Sequence, residues 1–379
     1  MKKGWQTKTL GDVCHVYQPE TISQKQMIAG EFRVYGANGQ IGWHNQFNHE
    51  EPELILGCRG SCGTVHVTEP RSWINGNAMV VHPTNGAMDI SFLAYALKGG
   101  IELTDAITGA AQPQITRTSL MPLAISFPES LAEQQRIVGL LDEAFEGLAT
   151  AKANAEKNLQ NARALFESHL QSVFTQRGPG WVEKRLADVA DFKNGLNFTR
   201  QSNGQTLRMV GVGDFQEHSV VPIETLQSVT IDGKLSDDYL IRRDDILTVR
   251  SNGSKDLVGR CMLVPDVDGM TSFSGFIIRI RFDTRTLSPR FLLHFMKSSA
   301  TRERLTRDGG GANISNINQA KLSELPVSLP SFKQQEEIAN RLDDLREETQ
   351  RLASLYERKH AALEALKKSL LHQAFTGQL

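Results

Sequence analysis

The feature that most constrains this chain is that it repeats itself. GWQTKTLGDV at 4–13 returns as GWVEKRLADV at 180–189, a spacing of 176. Later matches keep the same order. ILGCRG (55–60) pairs with ILTVRS (246–251) at 191, and SFLAYALK (91–98) pairs with RFLLHFMK (290–297) at 199. Gln-Ile-Thr (114–116) pairs with Asn-Ile-Ser (313–315), also at 199, and ISFPESLAEQQRI (125–137) pairs with VSLPSFKQQEEI (327–338), settling to 201. A spacing that grows and then holds constant places about 25 inserted residues in the second globular half and almost none in the segment after it. The chain therefore divides into a globular half (1–128), a length-matched segment (129–179), a second globular half (180–330) and a second length-matched segment (331–379).

The length-matched segments read as long helices. Each opens on a capping-box pattern, Ser130-x-x-Glu133 and Ser331-x-x-Gln334, and each ends near a glycine, Gly178 and Gly377. Between these signals apolar residues step by four and three. The first seam is Ile137, Leu141, Ala144, Leu148, Ala151, Ala155, Leu159, Ala162, Phe166, Leu170 and Val173. The second is Ile338, Leu342, Leu345, Leu352, Tyr356, Leu363, Leu366 and Leu370, interrupted by Thr349 and Lys359. A period of 3.5 sustained this long predicts a coiled coil, and about 45 residues predict a rod of roughly 65–70 Å. With two such helices in one chain, each is the other's natural partner, with a homodimeric coiled coil as the alternative. A two-fold relation between the repeats makes the helices antiparallel and brings the C-terminus near the N-terminus. Short β-branched runs bounded by Gly, Asn and Asp, such as ELILGC, AMVVHP, DDILTV and GFIIRIRF, make each globular half strand-rich. The expected fold class is α+β: two strand-rich domains in pseudo-two-fold tandem repeat, separated by two long antiparallel helices.

Several function classes are excluded by what is missing. The chain has no G-x-x-x-x-G-K-[ST] phosphate loop, no H-E-x-x-H, no G-x-S-x-G and no adjacent pair of prolines. It therefore reads as non-catalytic. Four cysteines are too few for a disulfide scaffold, and GCRGSCG reads as a glycine-rich turn with two reduced thiols, with no metal expected. No run approaches the length of a membrane span and no signal peptide is apparent, so the expected location is the cytoplasm. The net charge of −1, from 42 basic and 43 acidic residues, does not by itself indicate a nucleic-acid partner. One local excess, eight Arg/Lys against Asp283 and Glu303 over 279–307, reads as a solvated helix face.

The two halves, each a strand-rich domain followed by a P-x-x-L-x-E-Q-Q-R-I-type helix, resemble the specificity subunit of type I restriction-modification enzymes over essentially all 379 residues. The marks are Pro128 with Glu133-Gln134-Gln135, Pro330 with Gln334-Gln335-Glu336, Tyr35-Gly36-Ala37-Asn38-Gly39, Arg250-Ser251-Asn252-Gly253-Ser254 and GGGANIS over 309–315. The resemblance implies that each globular half is a target-recognition domain reading one half of a bipartite, asymmetric site on double-stranded DNA. It also implies that the coiled coil sets the spacer and docks two modification (methyltransferase) subunits, through which restriction/translocase subunits join. S-adenosylmethionine and ATP/Mg would then belong to those partners and none to this chain. Forked guanidinium and amide side chains on loops suit purine edges. The candidates are Tyr35, Asn38, Arg59, Ser61, Gln112, Gln114 and Arg117 in the first half, and Arg250, Asn252, Ser254, Lys255, Asn313, Asn316 and Asn318 in the second. A purely structural reading, two protein-binding heads on a spacer, is the other class the sequence allows.

Overall fold

The computed structural model describes residues 4–84, 86–109, 112–197, 202–216, 218–306 and 316–379. They form two compact units. Unit 1 joins the first 157 residues to Tyr356–Leu379, and unit 2 is Asn158–Leu355. The long helices run Leu131–Gln176 and Phe332–Phe375, so each belongs in part to both units.

The globular parts share one topology. Unit 1 has a four-stranded antiparallel sheet in the order Cys14–Tyr17, Ala78–Pro83, Leu54–Gly57, Val65–Val67. Unit 2 repeats it with Ala190–Asn194, Ile277–Phe282, Ile246–Val249, Cys261–Leu263. Against each lies a three-stranded sheet whose central strand has one antiparallel and one parallel neighbour, Gly39–His44, Phe32–Gly36, Trp73–Ile74 in unit 1 and Ser228–Thr230, Thr206–Val210, Thr271–Phe273 in unit 2. A two-stranded ladder closes each part, Trp5–Thr9 with Ala124–Pro128 and Val182–Arg185 with Pro326–Leu329.

Strand alternation explains why the four-stranded sheets read as continuous apolar runs. Leu54, Leu56, Met79 and Val81 point into the main core with Phe92, Leu93 and Phe127, whereas Ile55, Ala78 and Val80 point the other way, onto Tyr35 and Ile74. Unit 2 divides the same way: Ile246, Ile278 and Ile280 meet Phe291 and Met296, while Leu247, Val249 and Ile277 meet Phe273. Both faces are therefore covered, one by helix and one by sheet.

Within unit 1 the long helices run antiparallel. Lys152 donates to Glu364 at 2.7 Å, the Lys367 ammonium lies 5.3 Å from the Phe145 ring centre, and Arg136 donates to the Leu379 carbonyl at 3.3 Å. Trp5 and Leu379 pack against one core, which brings the two chain ends to the same part of the unit. In unit 2 the order is again antiparallel, with Ala162, Phe166 and Leu170 across a cleft from Ala353, Thr349 and Arg346. Within each unit the two helices of the one chain pack their stripes against each other.

Most seam residues hold their places. Ile137, Leu141 and Leu342 are fully buried, and Leu148, Leu159, Phe166, Ile338, Leu345, Leu352, Leu363 and Leu370 are fully or half buried. Two readings change. Leu366 is 46% exposed, because a helix of 3.6 residues per turn drifts about 20° per heptad against a 3.5 repeat. Over the four heptads from Ile338 that is roughly 80°, enough to turn the stripe outward and bring Leu371 and Ala374 in. Thr349 does not break the seam. It is buried in it, its hydroxyl donating to the Leu345 carbonyl at 2.8 Å.

Two residues per unit fasten globular part to helix. The buried amide of Gln134 accepts from Asp89 N at 2.8 Å and donates to the carbonyls of Ala87 (3.0 Å) and Pro128 (2.9 Å). Gln335, 201 residues on, accepts from Ser288 N at 2.9 Å and donates to the carbonyls of Thr286 (3.3 Å) and Pro330 (3.0 Å). Asp89 and Ser288 are themselves the N-caps of the domain helices Ile90–Tyr95 and Pro289–Lys297. From the far end of the other long helix, Phe375 stacks edge-on against Phe92 (5.2 Å), and Phe174 against Phe291 (5.3 Å). Phe375 and Phe174 are half buried, while Phe92 and Phe291 are fully buried.

Candidate nucleic-acid interface

In unit 1 three loops converge. The hairpin turn Ala37–Asn38 sits between the paired Gly36 and Gly39, and its Ala37 carbonyl accepts from the Thr64 hydroxyl. Gly57 makes this approach possible, since a Cβ there would lie 2.3 Å from the Ser61 carbonyl and 2.5 Å from that of Ala37. The third loop enters through Ile115 N, which donates to the Cys58 carbonyl at 3.0 Å, and through a bridge pairing Arg59 with Gln114. Asn38, Arg59 and Gln112 are exposed and Ser61 and Gln114 half exposed, so five candidates share one loop surface. Arg117 is exposed at the start of the short helix Arg117–Leu120, its Nε near Met121 Sδ at 3.3 Å.

Tyr35 is corrected. It is 6% exposed inside the sheet sandwich and its hydroxyl accepts from Glu69 N, so it supports the hairpin and offers nothing to a ligand. The two thiols of GCRGSCG are framework too. Cys58 is buried and donates to the Asn77 carbonyl at 3.1 Å, and Cys62 donates to that of Pro113 at 3.1 Å. Burial pushes the Cys58 thiol up, against the hydrogen bond from Gln18.

Unit 2 builds the same cluster in a register the sequence matches missed. Gly57 pairs with Ala78 and Val249 with Ile277, so Gly57 corresponds to Val249, Cys58 to Arg250 and Arg59 to Ser251. Cys58 N donates to Asn77 O and Arg250 N to Phe276 O; Cys58 O accepts from Ile115 N and Arg250 O from Ile317 N. The bridge Arg59–Gln114 returns as Ser251–Asn316. The spacing at this strand is thus 192 rather than 191, and Gln-Ile-Thr corresponds to Asn-Ile-Asn at 316–318, a spacing of 202 rather than 199. Asn313, within the segment matched instead, lies outside the described residues.

Of the other second-half candidates, Ser254, Lys255 and Asn316 are exposed and Arg250 is half exposed, as is its neighbour Ser251. Asn252 is spent on a turn, its Oδ1 accepting from Ser254 N at 2.7 Å, and Asn318 caps the short helix Gln319–Ser323 through Lys321 N at 2.8 Å. Where unit 1 fills the space beside Gly57 with its hairpin turn, unit 2 has a cleft among its described residues. A cleft of about 570 Å³ is lined there by Leu196, Asn197, Val212, Ser251, Asn252 and Phe276 together with glycine backbone.

Five cations of the basic run, Arg279, Arg281, Arg290, Lys297 and Arg302, are engaged within unit 2, whereas Arg285 and Arg304 are exposed and Arg307 lies outside the described residues. Arg281 makes a two-pronged pair with the buried Asp245, both bonds 2.7 Å, and Arg279 donates to the carbonyls of Asp238 and Leu240. Arg290 reaches Glu336 and Asp343, and Arg302 the carbonyls of Val258 and Asp256. Lys297 donates to Ser219 Oγ at 2.8 Å, and burial pulls its pKa down to about 8. These cations hold unit 2 together. Among the described residues no group of three or more His, Cys, Asp or Glu is placed to hold a metal ion, and no helix is long and apolar enough to cross a membrane.

Comparison with known proteins decides the family. The model of the type I restriction modification DNA specificity domain matches residues 2–159 and 179–357, one match per repeat. The chain belongs to this family. Among specificity-domain proteins it is 27% identical over 262 residues to the type I restriction enzyme StySPI specificity subunit of Salmonella potsdam, covering 66% of this chain and 56% of that protein. It is 25% identical over 206 residues to the EcoKI specificity subunit of Escherichia coli K12, covering 53% and 43%, so these matches span about half the length of each relative. Against the EcoDI specificity subunit of Escherichia coli identity is 20% with coverage of 99% and 88%. Two solved structures share the fold at 17% identity. A chain from work on complex assembly and conformational transition of the type I R-M system gives a TM-score of 0.77 with coverage of 100% and 99%, and the HsdS subunit from Thermoanaerobacter tengcongensis gives 0.64 with coverage of 100% and 98%.

Proposed function

We propose that this chain is the non-catalytic DNA-recognition subunit of a type I restriction-modification complex, each unit's loop cluster reading one half of a bipartite site on double-stranded DNA. The observation that carries this reading is the repeated backbone node. The same hydrogen bonds hold Cys58 and Arg250, yet the residues around them differ, Arg59 and Gln114 in one unit and Ser251 and Asn316 in the other. A fixed frame with unlike side chains is what two different half-sites require. In this reading the long helices set the spacer and dock two modification subunits, and restriction/translocase subunits join through them in the cytoplasm. Those partners bring S-adenosylmethionine and ATP/Mg, and much of the phosphate neutralisation that this nearly neutral chain lacks.

The test is domain exchange. Replacing residues 14–127 with the matching segment of another specificity subunit, followed by mapping of methylated adenines, should change one half of the modified sequence and leave the other. A change in both halves, or in neither, sinks the modular reading.

A further inference from the structure

The node that holds Cys58 and Arg250 has a third member in each unit, and neither is of a kind that sequence reading singled out. Asn77 follows the turn Asn75–Gly76 and gives its carbonyl to Cys58 N (3.1 Å); Phe276 follows Ser274–Gly275 and gives its carbonyl to Arg250 N (2.9 Å). Asn77 is exposed, and Phe276 is 60% exposed.

Phe276 is not a loose surface residue. Gly275 N donates to the Leu196 carbonyl at 2.7 Å, Leu196 N to that of Phe273 at 2.9 Å, and Ile277 N to that of Ser274 at 2.9 Å. Gly275 itself is packed so closely that a Cβ would fall 2.1 Å from Asn197 Oδ1. The next residue, Ile277, is fully buried in the sheet. A phenyl carried on a fixed backbone at a cleft rim, beside Ser251 and the exposed Asn197, presents an apolar contact among hydrogen-bonding groups. In the major groove one base alone offers an apolar handle, the C5-methyl of thymine, and phenylalanine is among the side chains that contact it. At the equivalent position unit 1 carries an amide, the group that pairs with adenine edges.

On the DNA-reading role proposed above, we infer that Phe276 is a base-reading residue of unit 2, specifying an A·T pair through the thymine C5-methyl, and that Asn77 occupies the matching position in unit 1.

The test uses the full-length chain assembled with its modification subunits and duplexes carrying its own mapped site. Each thymine, on either strand, is replaced singly by deoxyuridine, which lacks only the methyl group. At one thymine, in the half-site that stays constant when residues 14–127 are exchanged, the wild type should bind about fourfold more weakly, the effect of one methyl group's burial. Phe276→Ala should bind the unaltered site about fourfold more weakly and lose its response to that substitution, whereas Phe276→Leu should retain part of it. Unchanged Trp181 fluorescence in both variants shows that unit 2 remains folded. The inference is overturned if no thymine in that half-site responds, if the half-site has no A·T pair, or if Phe276→Ala responds as the wild type does. A wild-type complex that fails to prefer its own site over a scrambled duplex overturns the DNA-reading role itself, and the inference with it.

Discussion

The two units fasten their globular parts to the long helices at equivalent places, with different chemistry. In unit 1 the Tyr95 hydroxyl donates to Asp142, Phe145 packs edge-on against Tyr95 at 5.5 Å, and the Lys98 ammonium lies 5.7 Å from the same ring. Burial, then the hydrogen bond to Asp142 and its charge, push the Tyr95 phenol up, so this contact keeps its form across the working pH range. In unit 2 His294 stands where Tyr95 does, Asp343 where Asp142 does, and Arg346 in place of Phe145. Asp343 there receives His294 Nε2 at 3.0 Å, Arg346 at 3.1 Å and Arg290 at 3.2 Å. An aromatic joint and an ionic joint serve the same backbone. Neither chemistry is therefore what the joint depends on; the shared elements are the buried glutamine and the inserted phenylalanine, as the modest worth of partly exposed ion pairs also implies.

The largest effect should come from the shared element. Gln335→Leu leaves three backbone groups without partners, each worth about 1–3 kcal/mol when buried, so the helix Pro289–Lys297 should loosen by about 3 kcal/mol in amide hydrogen exchange. Gln134→Leu should do the same to Ile90–Tyr95 and leave unit 2 alone. If either substitution spares its own unit, the glutamine is not the fastening.

A smaller effect separates the units by pH at the alkaline end. The Lys297 ammonium titrates at about 8 in the folded chain, against about 10.4 when unfolded. The unfolded state holds the proton more tightly, so unit 2 is penalised at neutral pH and gains stability as pH rises from about 8 to 10. The gain is about 2–3 kcal/mol. Trp181 is the one tryptophan of unit 2 and reports urea unfolding there. The gain should vanish in Lys297→Met; a wild type as flat as the variant breaks the prediction.

The smallest effect lies at the acid end. Burial would raise the Asp343 carboxyl, but the hydrogen bond from His294 and the charges of His294, Arg346 and Arg290 outweigh it, and its pKa is lowered. A depressed carboxylate stabilises the folded state above its unfolded value of about 3.9 and loses that contribution as pH falls through the lower folded value. Asp343→Asn should remove this acid dependence and cost about 1 kcal/mol at neutral pH. Asp142→Asn, which still offers Tyr95 an acceptor, should change unit 1 by about 0.5 kcal/mol or less. Equal losses in the two would erase the distinction between the joints.

The long periods of the sequence carried the architecture. Repeat order, antiparallel helix pairing and strand-rich halves all follow from patterns that extend over many residues and tolerate local noise. The loops were harder. Arg59 and Arg250 look like partners because both are arginine, yet the strand pairing places Arg59 opposite Ser251's position, one residue away. A slip of one residue exchanges the faces of a strand, so Arg250 stands where unit 1 buries Cys58. Tyr35, Asn252 and Asn318 carry polar side chains that the fold uses internally, in a core, a turn and a cap. Asn77 and Phe276 share no sequence motif; only the common hydrogen bond relates them. Gln134 and Gln335 stand in their motifs at the constant spacing of 201, and their fastening role follows once burial requires each amide to find partners.

The side chains of those two glutamines hydrogen-bond to main chain, an amide hydrogen and two carbonyl oxygens in each unit. Main-chain groups are the same whatever residue carries them. A lineage could therefore rewrite nearly every side chain of a globular part without losing the joint. The attachment imposes almost no vocabulary on what is attached.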